Sequence, residues 1–223
     1  MRSLYHYWLC PFCRTVRLVL GEKMLECALI VERYWERRPE FIGVHPSGQV
    51  PLLVDVNGEI IAGNGAIADY LNRKYDSGTK LIGQDFQQML EVRRLSDWFN
   101  QTFHSEVSYM MLYEKVMKRN LHEGVPDSSV IRRANANMDR HFAYITSLLE
   151  GRNYLAGTEL SLADLVAAGH ISCLDYISAI SWSKHPVVKE WYAKVKSRPS
   201  FRPILDDHVP AVPPPSYYCD LDF

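Results

Sequence analysis

Two short runs near the start of the chain narrow what it can fold into: Cys10-Pro11-Phe12-Cys13 and Gly48-Gln49-Val50-Pro51-Leu52-Leu53-Val54. The first places a thiol at the N-cap of an amphipathic helix, with proline at the first helical position, where its missing N–H costs nothing. There the helix macrodipole and free N–H groups stabilise a thiolate and lower the thiol pKa. Cys13 lies one turn on, where it could resolve a mixed disulfide. The second run opens an apolar strand with Val-Pro, a bond whose cis form lies only about 0.5–1 kcal/mol above trans. A bent Val50-Pro51 loop beside the cysteine-bearing helix would offer backbone N–H and C=O groups to an extended thiol peptide. Each run also has a plainer account. Cys13 can be simple packing at a helix start, and a proline often begins an edge strand.

The order of elements supports the first account. Residues 3–8 read as a strand, 11–22 as a helix with Val16, Val19 and Leu20 on one side, and 27–32 as a strand. Residues 39–42 begin a short helix. Residues 51–55 and 59–62 form a hairpin around Val56-Asn57-Gly58, and 66–75 a helix. The pattern βαβ, helix, ββ, helix is that of a thioredoxin-like domain over 1–76, with a right-handed crossover in its βαβ part. Residues 77–84 read as a linker. From 85 to 206 the pattern is all-helical: 85–117, a break at Gly124-Val125-Pro126-Asp127, then 129–150, 161–177 and 187–198, packed as a bundle. Ser161-Leu162-Ala163-Asp164 is a capping box. Residues 207–223 form an extended tail rich in proline, acidic and aromatic residues, without helical or strand period.

Composition removes other classes. A net charge of −1 argues against nucleic acid as a principal partner. No apolar run approaches the roughly 20 residues of a membrane span, and the N-terminus has no signal-peptide pattern, so the chain reads as cytoplasmic. Five cysteines in a reducing compartment are free thiols, not a disulfide frame. His6, His104, His141, His170 and His208 show no metal-ligand spacing, so no metal site is expected.

Other candidates carry two readings each. Arg38, before Pro39, could pair with a ligand carboxylate or belong to a solvated basic face with Arg33 and Arg37. Asn64 and Gly65 open a helix whose N-terminus could hold an anion, or Asn64 merely caps it. Tyr5 or Tyr7 could hold a thiolate from the end of the first strand.

Over roughly residues 3–206 the chain resembles the cytosolic glutathione transferases. The resemblance rests on the Cys-Pro-Phe-Cys helix start, on His45-Pro46-Ser47-Gly48-Gln49-Val50-Pro51, on Ala66–Leu71, and on Leu155-Ala156-Gly157 followed by Ser161–Asp164. It implies a homodimer in which Val50 pairs its backbone with the cysteinyl part of glutathione, Pro51 is cis, and Arg38 lies near the glycyl carboxylate. Cys10 matches the nucleophile of omega-type members, which form a mixed disulfide with glutathione. One position departs from the family. Gly63-Asn64 stands where an acidic residue or glutamine followed by serine binds the γ-glutamyl group. Losing such a charge-assisted contact costs roughly 1.5–3 kcal/mol, or one to two decades of affinity.

A narrower resemblance, carried by Tyr34-Trp35-Glu36, by 114–119 and by Asp220-Leu221-Asp222-Phe223, is to bacterial transferase-like division proteins of the FzlA type. Those bind the tubulin-like GTPase FtsZ and use the fold as a scaffold. The resemblance implies a scaffold for FtsZ with weak or absent glutathione chemistry; the alternative is a thiol transferase using Cys10. In the scaffold reading Tyr217, Tyr218, Leu221 and Phe223 anchor the partner and Asp220 and Asp222 steer it. Otherwise the tail folds over its own cleft.

Overall fold

The computed structural model describes residues 1–221. Asp222 and Phe223, expected as partner contacts, lie outside the described residues. The N-terminal part holds β1 (Ser3–His6), α1 (Pro11–Glu22), β2 (Ala28–Val31), α2 (Pro39–Val44), β3 (Leu52–Val54), β4 (Ile60–Ala62) and α3 (Asn64–Lys74). The sheet order is β2-β1-β3-β4, with β1 parallel to β2 and antiparallel to β3. Leu4 pairs with Leu29 on one side and Leu53 on the other. The strands are shorter than their apolar runs, and β3 ends where the β3–β4 turn begins at Asp55, whose carbonyl accepts from Gly58 N–H at 2.9 Å.

A single helical run follows the connection. It passes through α4 (Phe86–Trp98), a π-helical segment (Phe99–Ser108), α5 (Tyr109–Leu112), a second π-helical segment (Tyr113–Met117) and α6 (Lys118–Asn120). Then come α7 (Ser128–Leu149), α8 (Leu162–Tyr176), α9 (Pro186–Lys196) and α10 (Arg202–Leu205). None of these helices is long and apolar enough to cross a membrane.

Every residue of α8 is buried, which makes it the centre of the helical half. It is held at its start by the expected capping box: Asp164 Oδ2 accepts from Ser161 N–H at 3.0 Å and from its hydroxyl at 2.8 Å. The other oxygen of Asp164 accepts from Leu155 N–H at 2.8 Å and from Trp191 Nε1 at 3.0 Å. Helix α8 presses on α1, and Gly169 is the contact point. A Cβ there would stand 2.8 Å from the Pro11 carbonyl and 2.7 Å from Thr15 Oγ1. Helix α1 is therefore covered by the sheet on one side and α8 on the other, which buries its polar Arg14 and Arg17 with its apolar residues.

The connection over 77–84 is pinned rather than loose. Ser77 Oγ donates to the Lys23 carbonyl at 2.7 Å, Thr79 N–H to the Glu22 carbonyl at 3.0 Å, and Leu81, 1 % exposed, accepts from Leu162 N–H. A Cβ on Gly78 would fall 2.0 Å from the Glu22 carbonyl, so only glycine fits.

The tail departs most from expectation. Tyr218 is fully buried and packs edge-on against Tyr176, ring centroids 5.0 Å apart. Its hydroxyl accepts from Arg14 Nη1 at 3.0 Å. Its reading as a free partner anchor is corrected: a buried guanidinium needs acceptors, and the tail supplies one. The described part of the tail does not line the cleft either, because it docks behind α1. Tyr217 is half-buried against the core, whereas Asp220 and Leu221 are exposed.

Candidate functional site

Cys10 occupies the N-cap of α1 in extended conformation (φ −100°, ψ 112°), and its sulfur accepts from Cys13 N–H at 3.4 Å. The thiol lies 3.9 Å from the Val50 carbonyl. The Val50-Pro51 bond is cis, which brings that loop to the helix start. Burial by itself raises the Cys10 pKa. Hydrogen bonds from the Cys13 thiol and from the N–H groups of Cys13 and Phe12, with the charge of Arg14, outweigh it and leave the thiol below its ordinary value. Cys13 goes the other way: burial and the neighbouring Cys10 sulfur push it well above. The pair is thus divided into one thiol that ionises readily and one that stays protonated and donates to it. Cys173, behind them on α8, is pushed up to about 12 by burial.

Cys10 opens into a cavity of about 220 Å³. One wall comes from the end of β1 and the start of α1, including Tyr7, Leu9 and Phe12. The Gln49-Val50 loop and Tyr34 form the floor, and the helical run supplies His104, Tyr109, Leu112, Tyr113, Val116 and Met117. Among the described residues no Lys, Arg, Asp or Glu lines it. His104 packs at a tilt against Phe12, ring centroids 4.6 Å apart, and stands 5.6 Å from His170, whose Nδ1 meets Ser108 Oγ at 2.9 Å. Burial lowers the pKa of both rings, so both are neutral, and His104 Nδ1 has no hydrogen-bond partner among the described residues. Tyr7 faces the cavity with burial raising its pKa, so it is a phenol and not a phenolate. Its oxygen accepts from Asn120 Nδ2 at 3.4 Å. Tyr5 packs on Phe41 instead.

The structure brings Cys10 and Val50 together at this cavity, with the cis Pro51 next in the same loop, while Arg38, Asn64 and Gly65 are not among the lining residues. Arg38 stands at the N-cap position of α2 and pairs with Glu32, Nη2 to Oε2 at 2.6 Å, and with Glu40 at 3.7 Å. The Glu32 side chain is fully buried and requires that counter-charge. Asn64 and Gly65 line a separate hollow between α3 and the helical run. There Asn64 Nδ2 donates to Asn100 Oδ1 at 2.9 Å. Gly63, with φ 83°, is the N-cap of α3, and Asn64 is already helical. His104, Tyr109 and Tyr113 were not legible as site residues, because an aromatic stripe on a long helix reads as core until the packing of that helix against β1 and α1 is known.

Comparison with known proteins places this geometry. The glutathione S-transferase N-terminal domain model matches residues 4–79, and the C-terminal domain model matches residues 109–199. FtsZ-localized protein A of Caulobacter vibrioides is 42 % identical over 225 aligned residues, covering 100 % of this chain and 98 % of its own. Glutathione S-transferase hmp2 of Hypomyces subiculosus is 32 % identical over 170 residues, 73 % of this chain and 77 % of its own. Among solved structures, FzlA from C. crescentus superposes with a TM-score of 0.97 at 42 % identity, covering 100 % of this chain and 99 % of its own. A glutathione S-transferase from Rhodospirillum rubrum gives 0.97 at 43 %, with complete coverage of both. On the two domain matches and these full-length likenesses, the chain belongs to the glutathione S-transferase family.

Proposed function

We propose that this chain acts at the division polymer FtsZ in the cytoplasm, as a transferase-family scaffold with weak glutathione chemistry. The observation that carries the reading is the end-to-end likeness, at 42 % identity, to FtsZ-localized protein A. The site supports the second half. The cavity holds no charged side chain among the described residues, Arg38 is engaged by Glu32, and Asn64 by Asn100. The expected result is that the full-length chain pellets with purified FtsZ polymerised by GTP and stays in the supernatant with FtsZ and GDP. Equal pelleting with and without polymer would end the reading. Of the expected partner contacts, Asp220 and Leu221 are exposed among the described residues. If they contribute, Leu221→Asp weakens pelleting and leaves the melting temperature unchanged.

A second reading is favoured by the lowered Cys10 thiol beside the cis Val50-Pro51 loop. In it the cleft retains the part that recognises a thiol and has lost the anchors for the two ends of the tripeptide. Calorimetric titration of the reduced protein with glutathione should then give at best a millimolar dissociation constant, one to two decades weaker than an intact pair of anchors would give. Micromolar binding would show that Asn64 or Arg38 rearranges to serve the ligand.

The chain as a homodimer completes the proposal. Phe86 and Leu90 stand 63 % and 44 % exposed one turn apart on α4, the kind of apolar face that a second copy covers. Phe86→Glu combined with Leu90→Glu should shift sedimentation equilibrium to the monomer mass, and an unshifted dimer would move the interface elsewhere.

A further inference from the structure

Arg14 heads the fully buried side chains by size. It leaves α1 one turn after Cys10, and its Nε donates back to the Trp8 carbonyl at 2.7 Å. The guanidinium is thereby folded under the first turn of the helix. Nη1 donates to the Tyr218 hydroxyl at 3.0 Å. Nη2 stands 3.7 Å from Asp207 and has no hydrogen-bond partner among the described residues. Asp207 is already taken by Arg17, whose Nη1 and Nη2 reach its two oxygens at 2.7 and 2.9 Å. Two buried cations therefore share one carboxylate, and positive charge is left over in a layer packed with Cys10, Cys13 and Cys173. A buried cation that is not fully neutralised is costly unless an anion completes it. The thiolate of Cys10 is such an anion.

We propose that Arg14 is a positioning residue for the Cys10 thiolate, and that the C-terminal segment, through Asp207 and Tyr218, holds it there. This rests on the reading of Cys10 as a reactive thiol. The other groups around the sulfur are neutral when Cys10 ionises: Cys13 on the same helix, Tyr7 and Tyr34 across the loop, His104 from the π-helical segment and Cys173 from α8. Around Arg14 the C-terminal segment supplies Tyr218 and Asp207, α8 supplies Tyr176, and α9 supplies Tyr192. From β1 comes His6, which burial and the two guanidiniums hold at about 3 and hence neutral. Arg14 is the cation whose charge lowers the Cys10 thiol, and Asp207, 3.7 Å from Nη2, partly offsets it. Removing either member shifts the thiol in opposite directions, which loosened packing does not do.

The test is the pH dependence of Cys10 alkylation by monobromobimane, read by peptide mass in the full chain carrying Cys27→Ser and Cys219→Ser. The parent midpoint should lie below the ordinary thiol value of about 8.5. Arg14→Met should raise it by about one pH unit, a roughly tenfold loss of thiolate below the midpoint. Arg14→Lys, which keeps the charge, should restore most of the lowering. Asp207→Asn should move the midpoint down, and Tyr218→Phe, which frees one end of the guanidinium, should raise it by less than Arg14→Met does. An unchanged midpoint in Arg14→Met with a cooperative melt overturns the proposal. Should that variant not fold, an Asp207→Asn midpoint that stays put or rises does so. A parent midpoint at the ordinary value removes the reactive-thiol reading itself, before any variant is considered.

Discussion

Asp164→Asn should destabilise the protein by about 3–5 kcal/mol, because two donors then face an amide NH₂ in a dry interior. The carboxylate is fully buried, and each of its oxygens accepts two hydrogen bonds. Oδ1 serves Leu155 and Trp191; Oδ2 serves the N–H and hydroxyl of Ser161. Whichever way the amide turns, one pair meets a donor in place of an acceptor. The loss also reaches beyond the cap, since Trp191 belongs to α9 and Leu155 to the approach to α8. Urea titration and a thermal melt check this: a fall in Tm of roughly ten degrees is expected for a chain of this size. A change under 1 kcal/mol would mean that water reaches the carboxylate.

Cys10→Ser should abolish the fast phase of thiol alkylation at neutral pH, while Cys13→Ser should keep it and slow it. The asymmetry follows from the geometry. Cys10 is the sulfur at the cavity and at the head of α1; Cys13 is fully buried and serves as a donor to it. Removing the Cys13 thiol deletes one hydrogen bond to the thiolate. A charge-assisted bond of about 1.5–3 kcal/mol corresponds to a tenfold or greater fall in reactivity below the midpoint. Serine at 13 restores part of that bond, so about a tenfold slowing is the upper bound. If Cys13→Ser eliminates labelling and Cys10→Ser does not, the assignment of the two sulfurs is reversed.

Much of the fold was legible because its signals are local. Proline at the first position of α1, Asn57-Gly58 at the hairpin, the break at Gly124–Asp127 and the Ser161–Asp164 box each act over a few residues. The bounds of α1 came out unchanged, and those of α7, α8 and α9 shifted by a residue or two. What escaped has no local signature. The helical run over 86–120 looks like ordinary amphipathic helix in sequence, so the residues that its packing turns to the cavity, His104 and Tyr113 among them, could not be picked out.

The site was legible in the same uneven way. Cys10 and Val50 stand beside each other because a capped helix and a Val-Pro turn each dictate their own backbone, and both are written within a few residues. The partners of Arg38 and Asn64 could not be read, because a long or amide side chain goes to whatever the packing brings near it. Those partners, Glu32 and Asn100, are set by packing. The tail shows this at the largest scale. Its proline-rich, aperiodic sequence determined that it would be neither helix nor strand. Only the tertiary structure decided that Tyr218 would be buried, because Arg14 is sealed between the sheet and α8 and its charge needs an acceptor 204 positions away in the chain.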